Sequence, residues 1–141
     1  MKQYVYLFAF MALALSACEG PMGPAGEPGE GLGMEVHEFT VVSRDWESLG
    51  EAGGVTFYRY IMDLDIGSYI YKSGNVSVFM YLMDGDNEVQ APLPYSIPHA
   101  DNGGWTEHYS FDFDRGTVSF YADYRRGERP PTQDFRIVLT W

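Results

Sequence analysis

The chain has 141 residues, with 20 acidic against 9 basic side chains and a formal net charge of −11. So acidic a chain repels nucleic acid and anionic lipid at long range, which excludes nucleic-acid binding and attachment through a polybasic patch. The sequence holds one cysteine, so no internal disulfide staples the domain, and a modest core must hold it together, to which the 16% aromatic content contributes.

The chain opens with Lys2 and an unbroken apolar run over residues 5–15. Such a run has the length of a signal-peptide apolar core and falls well short of the roughly 20 residues a spanning helix needs. Small residues Ser16 and Ala17 follow, then Cys18, and from Glu19 the sequence turns polar. Leu15-Ser16-Ala17-Cys18 resembles the lipobox of bacterial lipoproteins. The resemblance implies cleavage between Ala17 and Cys18 and a diacylglyceryl group on the Cys18 sulfur. It also implies a lipid anchor in the cell envelope, most consistent with the outer membrane of a Gram-negative bacterium. Loss of residues 1–17 removes Lys2 and no acid, so the net charge moves by one, from −11 to −12, and leaves Lys72 as the only lysine.

Residues 18–34 form a second region. Glycine recurs at 20, 23, 26 and 29 with Pro21, Pro24 and Pro28 between, until Leu32 breaks the period. These are collagen-like triplets, and a trimerising triple helix is one reading of them. Four triplets bury almost nothing to offset the ordering of three chains, so an extended Gly/Pro tether on a monomeric domain is preferred. At about 3.1 Å per residue it reaches up to ~50 Å from the lipid. The succession of lipidated cysteine, short Gly-Pro stretch and small β domain resembles an arrangement found in Gram-negative envelope lipoproteins.

From residue 35 to 141 the texture is β. Strands are expected at 36–42, 55–66, 69–72, 76–83, 105–114, 117–125 and 134–141, with a short helical turn near 43–49. Val76, Val78, Met80 and Leu82 alternate with Ser77, Phe79 and Tyr81, and Phe135, Ile137, Leu139 and Trp141 alternate against Arg136 and Thr140. Turn signals stand at Asp84-Gly85-Asp86-Asn87 and Arg115-Gly116. Residues 92–98, with three prolines, read as a loop or edge strand. Short strands at regular spacing predict an all-β fold: a single antiparallel, Ig-like β-sandwich of about seven strands. Strands this short and few do not make an outer-membrane barrel of about eight strands.

Motifs for chemistry are sparse. Asp84, Asp86 and Glu88 have the density of a calcium loop, but Val89 and Tyr95 stand where an EF-hand needs Gly and Glu, so a plain hairpin turn is preferred. His37, His99 and His108 are too scattered for zinc, and no phosphate loop or Gly-x-Ser-x-Gly elbow occurs, so no metal or cofactor is expected. Asp112, Asp114 and Asp123 can share one face of the 105–125 hairpin. Paired carboxylates perform glycoside hydrolysis when held roughly 5–9 Å apart, which is the alternative, enzymatic reading: a small carbohydrate-active hydrolase. The preferred reading is a non-catalytic binding or structural module for a protein or glycan. Tyr58, Tyr60, Tyr81, Tyr95 and Tyr121 are its candidate aromatic surface, and its membrane contact is the lipid on Cys18.

Overall fold

The computed structural model describes residues 32–141. The predicted signal peptide, the Ala17/Cys18 processing site and nearly all of the Gly/Pro tether lie outside the described residues. In chain order the elements are β1 (Met34–Val41), β2 (Glu47–Ala52), β3 (Val55–Asp63), a helix α1 (Gly67–Ser73), β4 (Asn75–Asp84), β5 (Asn87–Pro92), β6 (Tyr95–His99), β7 (Trp105–Phe113), β8 (Thr117–Arg125) and β9 (Gln133–Thr140). Single 3-10 turns lie at Ser43–Asp45 and Asp101–Gly103.

The strands form two antiparallel sheets, ordered β1-β9-β4-β5 and β2-β3-β8-β7-β6. They pack face to face, and every second residue of the central strands supplies the core. Val118, Phe120 and Ala122 of β8 meet Phe135, Ile137 and Leu139 of β9, all without exposed surface. At the centre Phe39, Phe120 and Phe135 contact one another, with ring centroids 5.0–5.8 Å apart. Trp46, from the β1–β2 connection, closes one side of this cluster against Tyr60, Tyr109 and Phe135. The Arg129 guanidinium donates to the Trp46 carbonyl at 2.7 Å and pins that connection.

The all-β sandwich is as expected, but the described residues hold nine strands rather than about seven. Segment 69–72 is not a strand. Its Tyr-Ile-Tyr-Lys alternation is overridden by a four-residue period: Ile66 is buried and Ile70 packs on the core, so one helical turn serves both. Gly74 ends that turn. A Cβ there would lie 2.6 Å from the Thr140 carbonyl oxygen, so only glycine lets α1 abut β9. The extra strands β2, β5 and β6 are edge or near-edge strands with few buried side chains. The helical turn expected over 43–49 is confined to Ser43–Asp45, and β2 begins at Glu47.

The hairpin turns follow their residues. Asp84 pairs with Asn87 around a two-residue loop in which Gly85 has φ 63°, and Gly53-Gly54 closes β2 on β3 in the same way. Between β7 and β8 the Asp114 carboxylate accepts the N–H groups of Gly116 and Thr117, both at 2.8 Å. The Gly116 bond and then the Thr117 bond hold this carboxyl below its ordinary value. Because the folded value is the lower one, the stabilisation is present above about pH 4 and is lost as pH falls through the folded value. In Asp114→Asn the amide oxygen still accepts both bonds but no longer titrates. Acid unfolding followed by circular dichroism should therefore show the wild type losing stability relative to this variant as pH drops below about 4. Parallel stability curves for the two proteins across that range would contradict the assignment.

Candidate functional site

The five tyrosines do not form one surface. Tyr58 is buried, with its hydroxyl donating to the Glu128 carbonyl at 2.8 Å, and Tyr60 packs into the core against Trp46 and Phe120. Both lie on the inner face of β3, so neither belongs to an exposed aromatic patch. Tyr95 sits on the edge strand β6, opposite Tyr109. Tyr121 lies on the outer face of the five-stranded sheet and donates to Asp112 at 2.9 Å. Burial, and next the bond to Asp112, push its phenol above the ordinary range.

Tyr81 is differently placed. It stands on β4, and its hydroxyl donates to Glu38 of β1 at 2.8 Å, although β9 runs between these strands. Two inter-strand steps are about 10 Å, so the phenol lies along the sheet over β9 instead of standing off it. That bond to Glu38 raises the Tyr81 phenol above its ordinary value. A second bridge crosses the same face the other way: Arg136 of β9 donates to Gln90 of β5 at 3.1 Å over β4. The Arg136 Nε is shielded from solvent and meets no acceptor. Glu38, Tyr81, Glu88, Gln90, Asp134 and Arg136 thus line an open groove on the outer face of the four-stranded sheet. The groove combines an aromatic ring, a planar amide, three carboxylates and one guanidinium. Such a set can accept and donate several hydrogen bonds while a ring takes an apolar face.

The carboxylates of the 105–125 hairpin are not brought together. Asp112 pairs opposite Ser119 and Asp123 opposite His108, four residues apart along β8, or about 13 Å along the strand. Asp114 is occupied in its turn, as described above. Asp123 does share a row with His108 and Ser96, and the Ser96 hydroxyl lies 2.9 Å from His108 Nδ1. The row is flat, with its side-chain bond in solvent.

One polar cluster went unread in the sequence. Glu107 points into the core from β7, 7% exposed. It accepts the Tyr109 hydroxyl at 2.9 Å and lies 2.7 Å from His99 Nε2, and the His99 ring stacks on Trp105 at 4.2 Å. Burial, then the Glu107 charge, drive the Tyr109 phenol far above its ordinary range, so it stays protonated as a donor. The cluster satisfies the carboxylate from both sides, as a buried charge requires. Only the alternation of β7 could have revealed it, since Glu107 falls in register with Tyr109 and Phe111.

The Asp84–Asn87 segment forms its hairpin, and among the described residues no three His, Cys, Asp or Glu side chains are grouped to hold a metal ion. No helix among them is long and apolar enough to cross a membrane. No family model matches the chain, and no curated protein or solved structure matches it either.

Proposed function

We propose that this chain is a lipid-anchored cell-envelope protein that presents a non-catalytic β-sandwich on a Gly/Pro tether, and that the sandwich binds a glycan through its Tyr81 groove. The anchor rests on Leu15-Ser16-Ala17-Cys18 closing an apolar run, and the outer membrane of a Gram-negative bacterium is the proposed location. The immunoglobulin-like description is proposed for the two-sheet architecture alone. The last strand, β9, lies between β1 and β4, whereas the immunoglobulin order pairs the first strand with the second.

The observation that carries the binding reading is the Tyr81 phenol laid along the sheet and fixed by Glu38. A ring held in place loses little freedom on stacking against a sugar. Glu88, Asp134 and Gln90 beside it can accept sugar hydroxyls. With an acidic chain around it, the groove favours neutral or amino-sugar glycans over phosphorylated or uronic ones.

Titration calorimetry with neutral and amino-sugar oligosaccharides tests this. Tyr81→Ala should weaken binding about tenfold, equivalent to roughly 1.4 kcal/mol. Tyr121→Ala, on the other sheet, should leave the affinity unchanged. Equal losses from both variants would remove the groove from the account, and a wild-type protein that binds none of these sugars would leave a protein partner as the ligand.

A further inference from the structure

Several large apolar side chains of the sandwich are exposed. Leu32, Met34, Tyr69, Tyr71 and Trp141 are all exposed, Leu32 the most at 89%. Register brings them to one end. Met34 and Asn75 both pair with Thr140, so the start of β1, the end of β9 and the exit from α1 lie side by side. Leu32, Met34 and Trp141 line one shallow apolar depression there with Ser73 and Gly74. On α1 at the same end Tyr69 and Tyr71 are exposed, and Tyr71 contacts Phe113 edge-on at 6.1 Å beside Asp114 and Arg115.

The same end is where the chain departs toward Cys18. Gly33 and Trp141 exchange both backbone hydrogen bonds, at 2.7 and 3.0 Å. The Trp141 indole covers Gly33 so closely that a Cβ there would fall 2.2 Å from the ring. Gly33 is therefore fixed to the sandwich beside an exposed indole.

We propose that this end rests on the bilayer that holds Cys18. This inference depends on the anchor reading above and adds an interaction surface to it. Tryptophan and tyrosine suit the headgroup layer because each joins an apolar ring to a polar tip, while Leu32 and Met34 suit the acyl boundary below it. The cations of this end are suitably placed. Lys72, the only lysine after the signal peptide, follows Tyr71, and the Arg115 guanidinium lies 5.6 Å from the Tyr71 ring centroid. Long basic side chains rest their stems on apolar surface and reach phosphates with their tips. The acids near this end are exposed: Asp65 accepts the Gly67 N–H, Asp114 accepts two N–H groups, Glu35 lies 3.0 Å from His37, and Asp63 stands at the end of β3. The strongly negative chain around them directs the contact to zwitterionic lipid rather than anionic lipid.

The link between anchor and sandwich allows this contact. Residues 19–31 are thirteen residues, which reach at most about 45 Å when fully extended, so the domain can stand at any height below that. A short covalent link also sets an effective concentration in the roughly millimolar range, so a patch too weak to bind vesicles alone is held down once the anchor is in place.

Protein extracted from its membranes and reconstituted into phosphatidylcholine vesicles with brominated acyl chains tests the inference. Trp46 is buried, and subtracting the Trp141→Phe protein isolates the Trp141 fluorescence. Brominated lipid should quench that signal by about half or more. Replacing Leu32 and Met34 by serine, both at exposed positions, should reduce this quenching at least twofold, with the folded spectrum unchanged. Trp141 quenched by aqueous iodide and not by lipid would overturn the contact. Trp141 shielded from both would also overturn it, placing a second copy or the chain's own tether on the patch. The intact mass of the same preparation separates the two readings. Acyl chains on Cys18 with unquenched Trp141 refute only the contact, and an unmodified Cys18 refutes the anchor.

Discussion

Cys18→Ala is expected to move the protein from the membrane fraction to the soluble fraction, with the folded spectrum of the sandwich unchanged. The effect is expected wherever residues 1–17 are still removed, because the apolar run over 5–15 then offers no second attachment. The described residues hold no spanning helix, the chain is strongly acidic, and a few interfacial side chains do not hold a domain by themselves. Each methylene buried in the bilayer contributes about 0.8 kcal/mol, so two long acyl chains exceed the affinity of any such patch several times over. Fractionation of envelopes with detection of both forms checks this. A variant that has lost residues 1–17, as shown by its mass, and still remains with the membranes to the same extent as wild type would mean that Cys18 is not the anchor.

The second large effect is on folding. Phe135 has no exposed surface and touches Phe39, Phe120, Trp46 and Tyr109. It therefore joins both sheets and the β1–β2 connection at one point. Phe135→Ala leaves a cavity that rigid neighbours cannot fill and should cost about 3–5 kcal/mol. A domain of this size is stable by only about 5–15 kcal/mol, so the variant should lose a large share of its denaturant midpoint. Phe57→Ala, on the outer face of β3, should change stability by less than about 1 kcal/mol. Urea unfolding of the two variants against wild type checks the difference. Equal and small losses would mean that the aromatic cluster is not the centre of the core.

How far the sequence discloses this architecture depends on burial. Strands β4, β7, β8 and β9 are central or paired on both sides, so one face is apolar, and their period of two is plain in the sequence. Of the edge strands, β1 is legible from its β-branched and aromatic residues, whereas β2, β5 and β6 carry no such signal. All six residues of β2 are exposed, and β5 buries only Ala91, so neither has an apolar face to read. Strand β6 contains Pro98 and is legible only as a loop or edge segment. Alternation also states which residues share a face without stating which face is inside. On β3 both sets contain large apolar or aromatic residues, with Phe57 and Ile61 outside and Tyr58 and Tyr60 inside, so the tyrosines also read as surface.

The groove is illegible for another reason. Its two bridges join residues 43 and 46 positions apart, Glu38 with Tyr81 and Gln90 with Arg136. They meet only because β9, the last strand, inserts between β1 and β4. No local pattern encodes that insertion. The Glu107 cluster is intermediate: the position of the acid in an apolar row is visible, but its partner His99 comes from a separate strand.

The most direct test of the whole account is the intact mass of the protein purified from its own membranes. The account predicts a chain that begins at Cys18, with residues 1–17 removed and at least a diacylglyceryl group on the cysteine. A chain that retains residues 1–17, or one that begins at or near Cys18 with an unmodified thiol, would contradict it.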